Sequence, residues 1–412
     1  MLSPGDNERL TRVGPQSAAG GLLRRFWYPV LQADRLIAGG APQRVRLLSE
    51  DFVAFRTPDG RLGFVEESCP HRRASLVLAR NETCGLRCLF HGWTVDVDGH
   101  VVDAPSEPAE RSGFAAKVRT RSLGVRECAG LIWAFVGTGP EPQFPAFAFT
   151  ALPRERLQFA QVHGPCNWVQ LLEGQIDSAH ISHLHQSAVT RTGGMNRLSL
   201  TDRAPRFDVE TTPWGLQAAA IRSLGGDERY TRVTAFVMPA WEFIPRPIMP
   251  QTPDYEHAAR FVVCQVPVDD ENTSVWYISW HPDRAIERGE PSVMWPVWND
   301  RYETVRDERM WGQDRAKMAD GHFTGLDNLL TEDMAVAESM GPIADRSREY
   351  LGSSDTAVAR FRRIFLDAIR DHEAGRTPLG CSGDVPYADI AAQGILHDER
   401  TDWRERATHQ PA

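Results

Sequence analysis

The chain has 412 residues, 42% hydrophobic and 25% charged, an ordinary globular composition with room for two or three domains. A formal net charge of −9 leaves no basic footprint for nucleic acid. No apolar run approaches the ~18 residues of a membrane span, MLSPGDNERLTRVG is not a signal peptide, and seven cysteines without a disulfide-like framework suit the reducing cytoplasm.

In chain order, residues from about 44 to 136 read as short strands. RVRLLSEDFVAFRTPDGRLGFVEESC alternates apolar and polar positions and turns at Pro58-Asp59-Gly60. TVDVDGHVVDAP repeats this around Asp98-Gly99, a hairpin signal, and GLIWAFVGTGP closes the set. Between the strands stand Cys69-Pro70-His71 and, after 16 intervening residues, Cys88-Leu89-Phe90-His91. Each cluster offers one thiolate and one imidazole. Two Cys on one iron and two His on the other are what a Rieske-type [2Fe–2S] centre needs, and neutral His ligands raise its potential relative to an all-Cys cluster. A tetrahedral structural zinc is chemically adequate for the same four residues, and four unrelated residues is the third reading. Cys84, four residues before Cys88, is a competing ligand. GPEPQFPAFAFTALP, rich in Pro and Phe, reads as a boundary lying against the surface. It divides the chain into residues 1–150 and 151–412.

From residue 157 the pattern changes. A helix-like stretch runs from about Asn167 to His183. Strands are predicted near 206–222, 230–244, 258–268 and 273–281, and helices near 296–318, 327–340 and 354–374. The tail after about residue 383 is polar and weakly patterned. Strands followed by helices predict an α+β domain with an antiparallel sheet covered on one face.

NWVQLLEGQIDSAHISHLHQS carries a second constellation: Glu173, Asp177, His180, His183 and His185. Glu173, Asp177 and His180 share one face of a helix. Beside Leu171, Leu172 and Ile176 such groups are costly unless they bind or pair; a solvated polar face is the plain alternative. Non-haem Fe(II) oxygenases hold iron with two His and one carboxylate and leave the opposite face open. On a regular helix His180 meets His183. His180 and His185 are about 140° apart and meet only if the helix ends or bends between them.

The flanks of both constellations resemble a known family. CPHRRASL with NETCGLRCLFHGW resembles the Rieske domain of ring-hydroxylating oxygenases. Asp177, His180 and His185, in D-x-x-H-x4-H, are similar to that family's mononuclear-iron motif. PCNWVQLLEGQIDSAHISHLH, NERLTRVGP and LLTEDMAVAESMGPIADRSREYLGSSD look like the phthalate dioxygenase and phenoxybenzoate dioxygenase branch, which has a single type of subunit. The resemblance implies an N-terminal all-β Rieske domain and a helix-grip, START-like α+β catalytic domain. It implies a [2Fe–2S] cluster on Cys69, His71, Cys88 and His91, with Cys84 left out, and Fe2+ on His180, His185 and Asp333. Glu332 is the neighbouring competitor, but side chains one residue apart on a helix point about 100° apart.

Asp177 has another implied role: bridging a cluster histidine of a neighbouring subunit and His180. A local helix-end carboxylate is the alternative. Such a bridge between chains requires a head-to-tail ring, and the resemblance implies a homotrimer or a hexamer of trimers. Electrons are implied to come from NADH through a separate reductase (flavin/iron–sulfur) or a ferredoxin. The implied activity is O2-dependent mono- or cis-dihydroxylation of an aromatic carboxylate such as a phthalate- or phenoxybenzoate-like compound. O-demethylation of a methoxylated aromatic acid uses the same machinery. A Rieske electron carrier without oxygenase activity is the alternative of another class, although it has no use for the second constellation.

Arg232 sits between Thr231 and Val233 in an apolar-alternating run, where an unpaired Arg is disfavoured. A guanidinium can anchor a carboxylate through two hydrogen bonds. Arginines of this region hold substrate carboxylates in phthalate-type relatives, and Arg232 matches one such position. A second is Leu198 here, with Arg197 beside it, which weighs against a dicarboxylate. Pairing of Arg232 with Asp227 or Glu228 is the structural alternative.

Overall fold

The computed structural model describes residues 1–192, 195–246, 259–286, 301–303 and 307–407. The chain forms two compact units, Leu23–Phe144 and Met1–Leu22 with Pro145–Ala412. No helix among the described residues is long and apolar enough to cross a membrane.

The smaller unit holds three antiparallel sheets. Leu131–Phe135, buried at every position, lies between Trp27–Gln32 and Gly124–Cys128. Trp27–Gln32 precedes the region read as strands; its register shifts between Pro29 and Leu31, where proline cannot donate to the ladder. Gln43–Leu47, Glu50–Arg56 and Leu62–Glu66 form a meander. The third sheet, Arg80–Glu82, Gly85–Arg87, Thr94–Val95 and Val101–Asp103, carries the second Cys/His loop between its second and third strands. The turns expected at Gly60 and Gly99 form, with φ of 92° and 81°.

The larger unit is α+β. Its nine-stranded sheet runs Arg206–Thr212, Gly215–Gly225, Glu228–Val237, Trp241–Phe243, Arg260–Pro267, Thr273–Trp280, Leu157–Gly164, Arg301–Glu303. All pairs on this path are antiparallel except the last. Gln393–Asp398 completes it by pairing with Glu228–Val237. The helices Trp168–Ile176 and Leu329–Ser339 pack on one face, where Leu171, Leu330 and Met334 meet Val263, Val275 and Tyr277. Thr356–Glu373 buries Val358, Phe361, Phe365 and Ile369, a helical stripe, with Phe361 edge-on to Phe236 of the sheet.

Three expectations need correction. The helix near 296–318 does not form as one element: Arg301–Glu303 is a strand, and Asp307–Gly312 and Arg315–Ala319 are separate short helices. Residues 296–300 and 304–306 of that expectation lie outside the described residues. The weakly patterned tail supplies a sheet strand and the helix Trp403–Ala407, whose Trp403 packs on Ala219, Ile221 and Val233. Finally, residues 1–22, expected with the first domain, belong to the larger unit. Their reason is polar: Asn7 donates to Ala344 O (3.0 Å), Val13 N–H to Asp270 (2.8 Å), and Asn167 to Thr11 O (2.9 Å).

Glu173 is a structural residue. It accepts from Arg346 at 2.9–3.1 Å and from Arg362 at 2.6 Å, and Arg362 also binds Glu349. Burial alone would raise the Glu173 pKa, but the two guanidiniums hold it below the usual range. The knot ties Trp168–Ile176 to Thr356–Glu373 and fixes the helix that leads into the second constellation.

Candidate metal centres

The two Cys/His loops of the smaller unit are built alike. Cys69 N–H donates to Ala74 O (2.8 Å) and Arg73 N–H to Cys69 O (2.9 Å); Cys88 N–H donates to Trp93 O (2.8 Å) and Gly92 N–H to Cys88 O (3.0 Å). In each loop the fourth residue after the cysteine is left-handed: Arg73 has φ 62° and Gly92 φ 76°. A Cβ on Gly92 would come within 2.8 Å of Pro105 Cγ, so glycine is required there for space as well. A non-glycine residue such as Arg73 holds that conformation at a cost in strain.

These turns bring the four residues together. Cys69 and Cys88 are buried close to each other. The rings of His71 and His91 lie 4.5 Å apart, and His71 stacks on Trp93 at 4.5 Å and 4°. Both histidine Nδ1 atoms are buried without a hydrogen-bond partner. Unpartnered buried nitrogens are expensive unless something absent from the protein atoms takes them. Donors around one tetrahedral zinc at 2.0–2.3 Å would lie within about 4 Å of each other. The only groups of three donors within 4.8 Å among the described residues are His180/His185/Asp333 and Asp96/Asp98/His100. The four donors therefore suit a two-iron cluster rather than a single zinc. Cys84 is exposed in the turn before Gly85.

In the larger unit the predicted helix stops early. Trp168–Ile176 is capped by Asp177, whose Oδ1 accepts from Ala179 N–H at 2.7 Å. A short 3-10 turn, His180–Ser182, follows, and His183 leaves helical geometry with φ −120° and ψ −69°. These breaks are what let His180 and His185 meet, with rings 4.9 Å apart at 80°. His183, the partner expected on a regular helix, is exposed.

Asp333, from Leu329–Ser339, completes the set. Its Oδ1 lies 3.0 Å from His185 Nε2 and 3.9 Å from His180 Nε2. Its Oδ2 accepts from Gln175 at 3.4 Å. Glu332 points elsewhere: its Oε2 is 2.7 Å from His185 Nδ1. Against the lowering effect of burial, Asp333 and Glu332 push His185 up to about 9. Burial and then the neighbouring His185 pull His180 down. A divalent cation would take the place of the proton between His185 Nε2 and Asp333. The donor set fits Fe2+, with two imidazoles and one carboxylate.

Asp177 departs from expectation in detail. Its Oδ2 stands 3.8 Å from His180 Nδ1, beyond hydrogen-bond length, while Oδ1 makes the local turn contact. Arg232 is buried and in register with Ala220 and Gly394. Leu198 packs against Tyr230, and Arg197 is exposed.

Sequence reasoning missed Arg222. It is fully buried and, since Ala220 opposes Arg232, projects from the same sheet face as Arg232. Its Nη2 donates to Ser178 O at 2.6 Å, in the turn that leads to His180. Its Nε and Nη1, and Ser178 Oγ, are buried without a partner. Burial pulls the guanidinium down to about 10, and Arg232 adds like-charge repulsion. The available signal was AAAIRSL, a charge inside an apolar run, the same signal that Arg232 gave.

A β unit carrying a paired Cys/His double loop, followed by an α+β unit with a buried two-His, one-carboxylate set, is the plan of a two-centre oxygenase. Residues 26–121 match the Rieske [2Fe-2S] domain family, and residues 134–411 match the family described as LigXa C-terminal domain like. The chain is 39% identical to the phthalate 4,5-dioxygenase oxygenase subunit of Pseudomonas putida, over 98% of this chain and 94% of that one. It is 34% identical to the 3-chlorobenzoate-3,4-dioxygenase oxygenase subunit of Comamonas testosteroni, over 97% and 96%. Among solved structures, the oxygenase of a carbazole-bound carbazole 1,9a-dioxygenase–ferredoxin complex has the same fold, with a TM-score of 0.57, 18% identity and coverage of 91% and 98%.

The chain belongs to the Rieske non-haem iron oxygenases, in the phthalate dioxygenase-like branch with a LigXa-like C-terminal domain. It is an oxidoreductase with a Rieske [2Fe–2S] domain, and the stand-alone electron carrier and zinc readings are set aside.

Proposed function

We propose that this chain is the terminal oxygenase component of a system that dihydroxylates an aromatic carboxylate of the phthalate or chlorobenzoate kind. The observation that carries the reading is the guanidinium pair, Arg222 and Arg232, on the sheet face that also supports the Ser178–His180 turn. Arg222, buried with unsatisfied donors, calls for an anion, and a carboxylate pairs with such donors through two hydrogen bonds. The named activities of the two relatives agree with an aromatic acid.

Cys69 and Cys88 would hold one iron of the cluster, His71 and His91 the other, and His180, His185 and Asp333 the mononuclear Fe2+. When bound, these groups supply single electrons and dioxygen activation. The chain's own residues do the rest. Arg232 orients the acid, Gln175 and Glu332 hold Asp333 and His185, and buried side chains keep water out. Asp177, beside His180 Nδ1, links the iron site to a cluster histidine of a neighbouring copy. Its 24% exposed side chain keeps the carboxylate reachable from outside. Exposed Leu78, Leu89 and Phe90 next to the histidine loops give the other half of that contact an apolar rim. A homotrimer, or a hexamer of trimers, closes the ring. Electrons come from NADH through a separate reductase or ferredoxin, as the ferredoxin in the carbazole complex suggests by analogy. A chain with seven cysteines and no disulfide-like spacing suits a cytoplasmic location.

Arg232→Met tests the anchor. Leaving a buried charge unpaired costs about 2–5 kcal/mol, so the apparent constant for phthalate should rise roughly thirtyfold or more at ~1.4 kcal/mol per factor of ten. Turnover at saturation should survive, since the anchor acts in ground and transition states alike. Cluster content should not change. An unchanged constant for phthalate and chlorobenzoate, or a preference for their neutral esters, would make Arg232 a structural residue and the substrate no acid.

A further inference from the structure

We infer that Glu332 is a positioning residue that fixes the tautomer and orientation of His185, and that Thr324 locks Glu332 in that role. The inference rests on the reading of His180, His185 and Asp333 as the iron ligands.

Glu332 and Asp333 are adjacent on one helix and therefore point about 100° apart. They use that divergence to grip one imidazole at both nitrogens. Glu332 Oε2 is 2.7 Å from Nδ1, and Asp333 Oδ1 is 3.0 Å from Nε2. A carboxylate accepts but cannot donate, so Glu332 requires the proton on Nδ1. With the Nδ1 proton kept by Glu332, Nε2 is the nitrogen that can exchange its proton for a metal, on the side where Asp333 Oδ1 and His180 Nε2 gather. The other ring nitrogen's hydrogen bond thus decides which nitrogen is free to bind a metal, and a carboxylate there raises ligand basicity.

Both oxygens of Glu332 already have a partner away from the metal position. Its Oε1 accepts from Thr324 Oγ1 at 2.5 Å, and the residue is 1% exposed. The Thr324 hydroxyl is oriented in turn, because it accepts from Leu326 N–H at 3.2 Å and so directs its proton at Glu332. Thr324 is itself buried, in the segment between Arg315–Ala319 and Leu329–Ser339. A chain of Thr324, Glu332 and His185 therefore runs through the protein interior and ends on a donor atom.

The full-length protein, freed of mononuclear iron by chelation with its cluster intact, should be titrated with Co2+. Glu332→Met keeps volume and removes both acceptors; the Co2+ dissociation constant should rise about 10–100-fold. Glu332→Gln keeps an oxygen for Nδ1–H and should recover part of that loss. Thr324→Val should shift the constant in the same direction by less. In the Co2+ protein, proton NMR should show a paramagnetically shifted, slowly exchanging His185 N–H that is lost in Glu332→Met. A merely structural role would not move this resonance selectively. Wild-type affinity with the resonance retained in Glu332→Met would overturn the inference. So would loss of Co2+ in Glu332→Met with full binding in Asp333→Asn, since Glu332 would then be the ligand. If Glu332→Met does not fold, Thr324→Val decides: an unchanged constant and unchanged N–H exchange overturn the inference. His185→Ala separates the two levels: wild-type Co2+ affinity there would sink the iron-site reading itself.

Discussion

Replacing Asp333 with alanine should abolish turnover and empty the mononuclear site while leaving the Rieske EPR signal unchanged. Asp333 is the one carboxylate whose oxygen approaches both histidines, at 3.0 Å from His185 and 3.9 Å from His180. Its removal leaves two imidazoles and no carboxylate donor at the metal position. Even outer-shell changes cost about 10–100-fold in metal affinity, so loss of a ligand should exceed that. His180→Ala and His185→Ala should behave alike. His183→Ala should keep both iron and activity, since His183 is exposed and turned out of the helix. Iron content by elemental analysis, with EPR on the same samples, reads both halves. Iron lost in His183→Ala and kept in His185→Ala would reassign the site.

Cys88→Ala should remove the Rieske signal and the visible colour, and with them reductase-coupled activity, yet the chelated protein should bind Co2+ in the mononuclear site normally. The double loop is the reason. Cys88 is buried against Cys69, and the backbone bonds at Cys88 N–H and O shape the turn around it. A methyl group there cannot bind iron, and a two-iron cluster with one thiolate has no stable substitute ligand in reach: Cys84, the nearest in sequence, is exposed in the turn before Gly85. Cys84→Ser should leave the signal intact. A normal signal in Cys88→Ala, or its loss in Cys84→Ser, would replace this ligand set.

The sequence made the cluster domain readable because both loops are local: all four candidate ligands fall within 23 residues, and Gly60 and Gly99 announce their turns. The α+β class was equally legible from alternation over 206–281. The second centre was not legible by periodicity. Spacing put Glu173, Asp177 and His180 on one helical face, but the Asp177 side chain ends that helix by capping Ala179, and a capping Asp looks like any polar helix residue in one sequence. Glu173 then turns to Arg346 and Arg362, far away in the chain. Asp333 came only through family resemblance, as no local pattern separates it from Glu332; the separation lies in which face of the helix meets which nitrogen of His185. Arg222 escaped because a charge near a strand end reads as an edge, whereas tertiary packing buries it completely. The first 22 residues and the tail were misjudged for a related reason: short polar segments are held by partners such as Ala344, Asp270 and Asp208 that sequence order does not reveal.

On the proposed function the two centres work as a unit on an aromatic acid, coupled at Asp177. Single turnover tests it most directly. Protein with a chemically reduced cluster, without reductase, is mixed with phthalate and isotopically labelled dioxygen. Cluster reoxidation is followed optically, and the product by mass spectrometry. The wild-type cluster should reoxidise together with formation of a product carrying both labelled oxygen atoms. Asp177→Asn, with both metals retained, should reoxidise more slowly. Reoxidation without labelled product from phthalate or chlorobenzoate, or a wild-type rate in Asp177→Asn, would contradict the account.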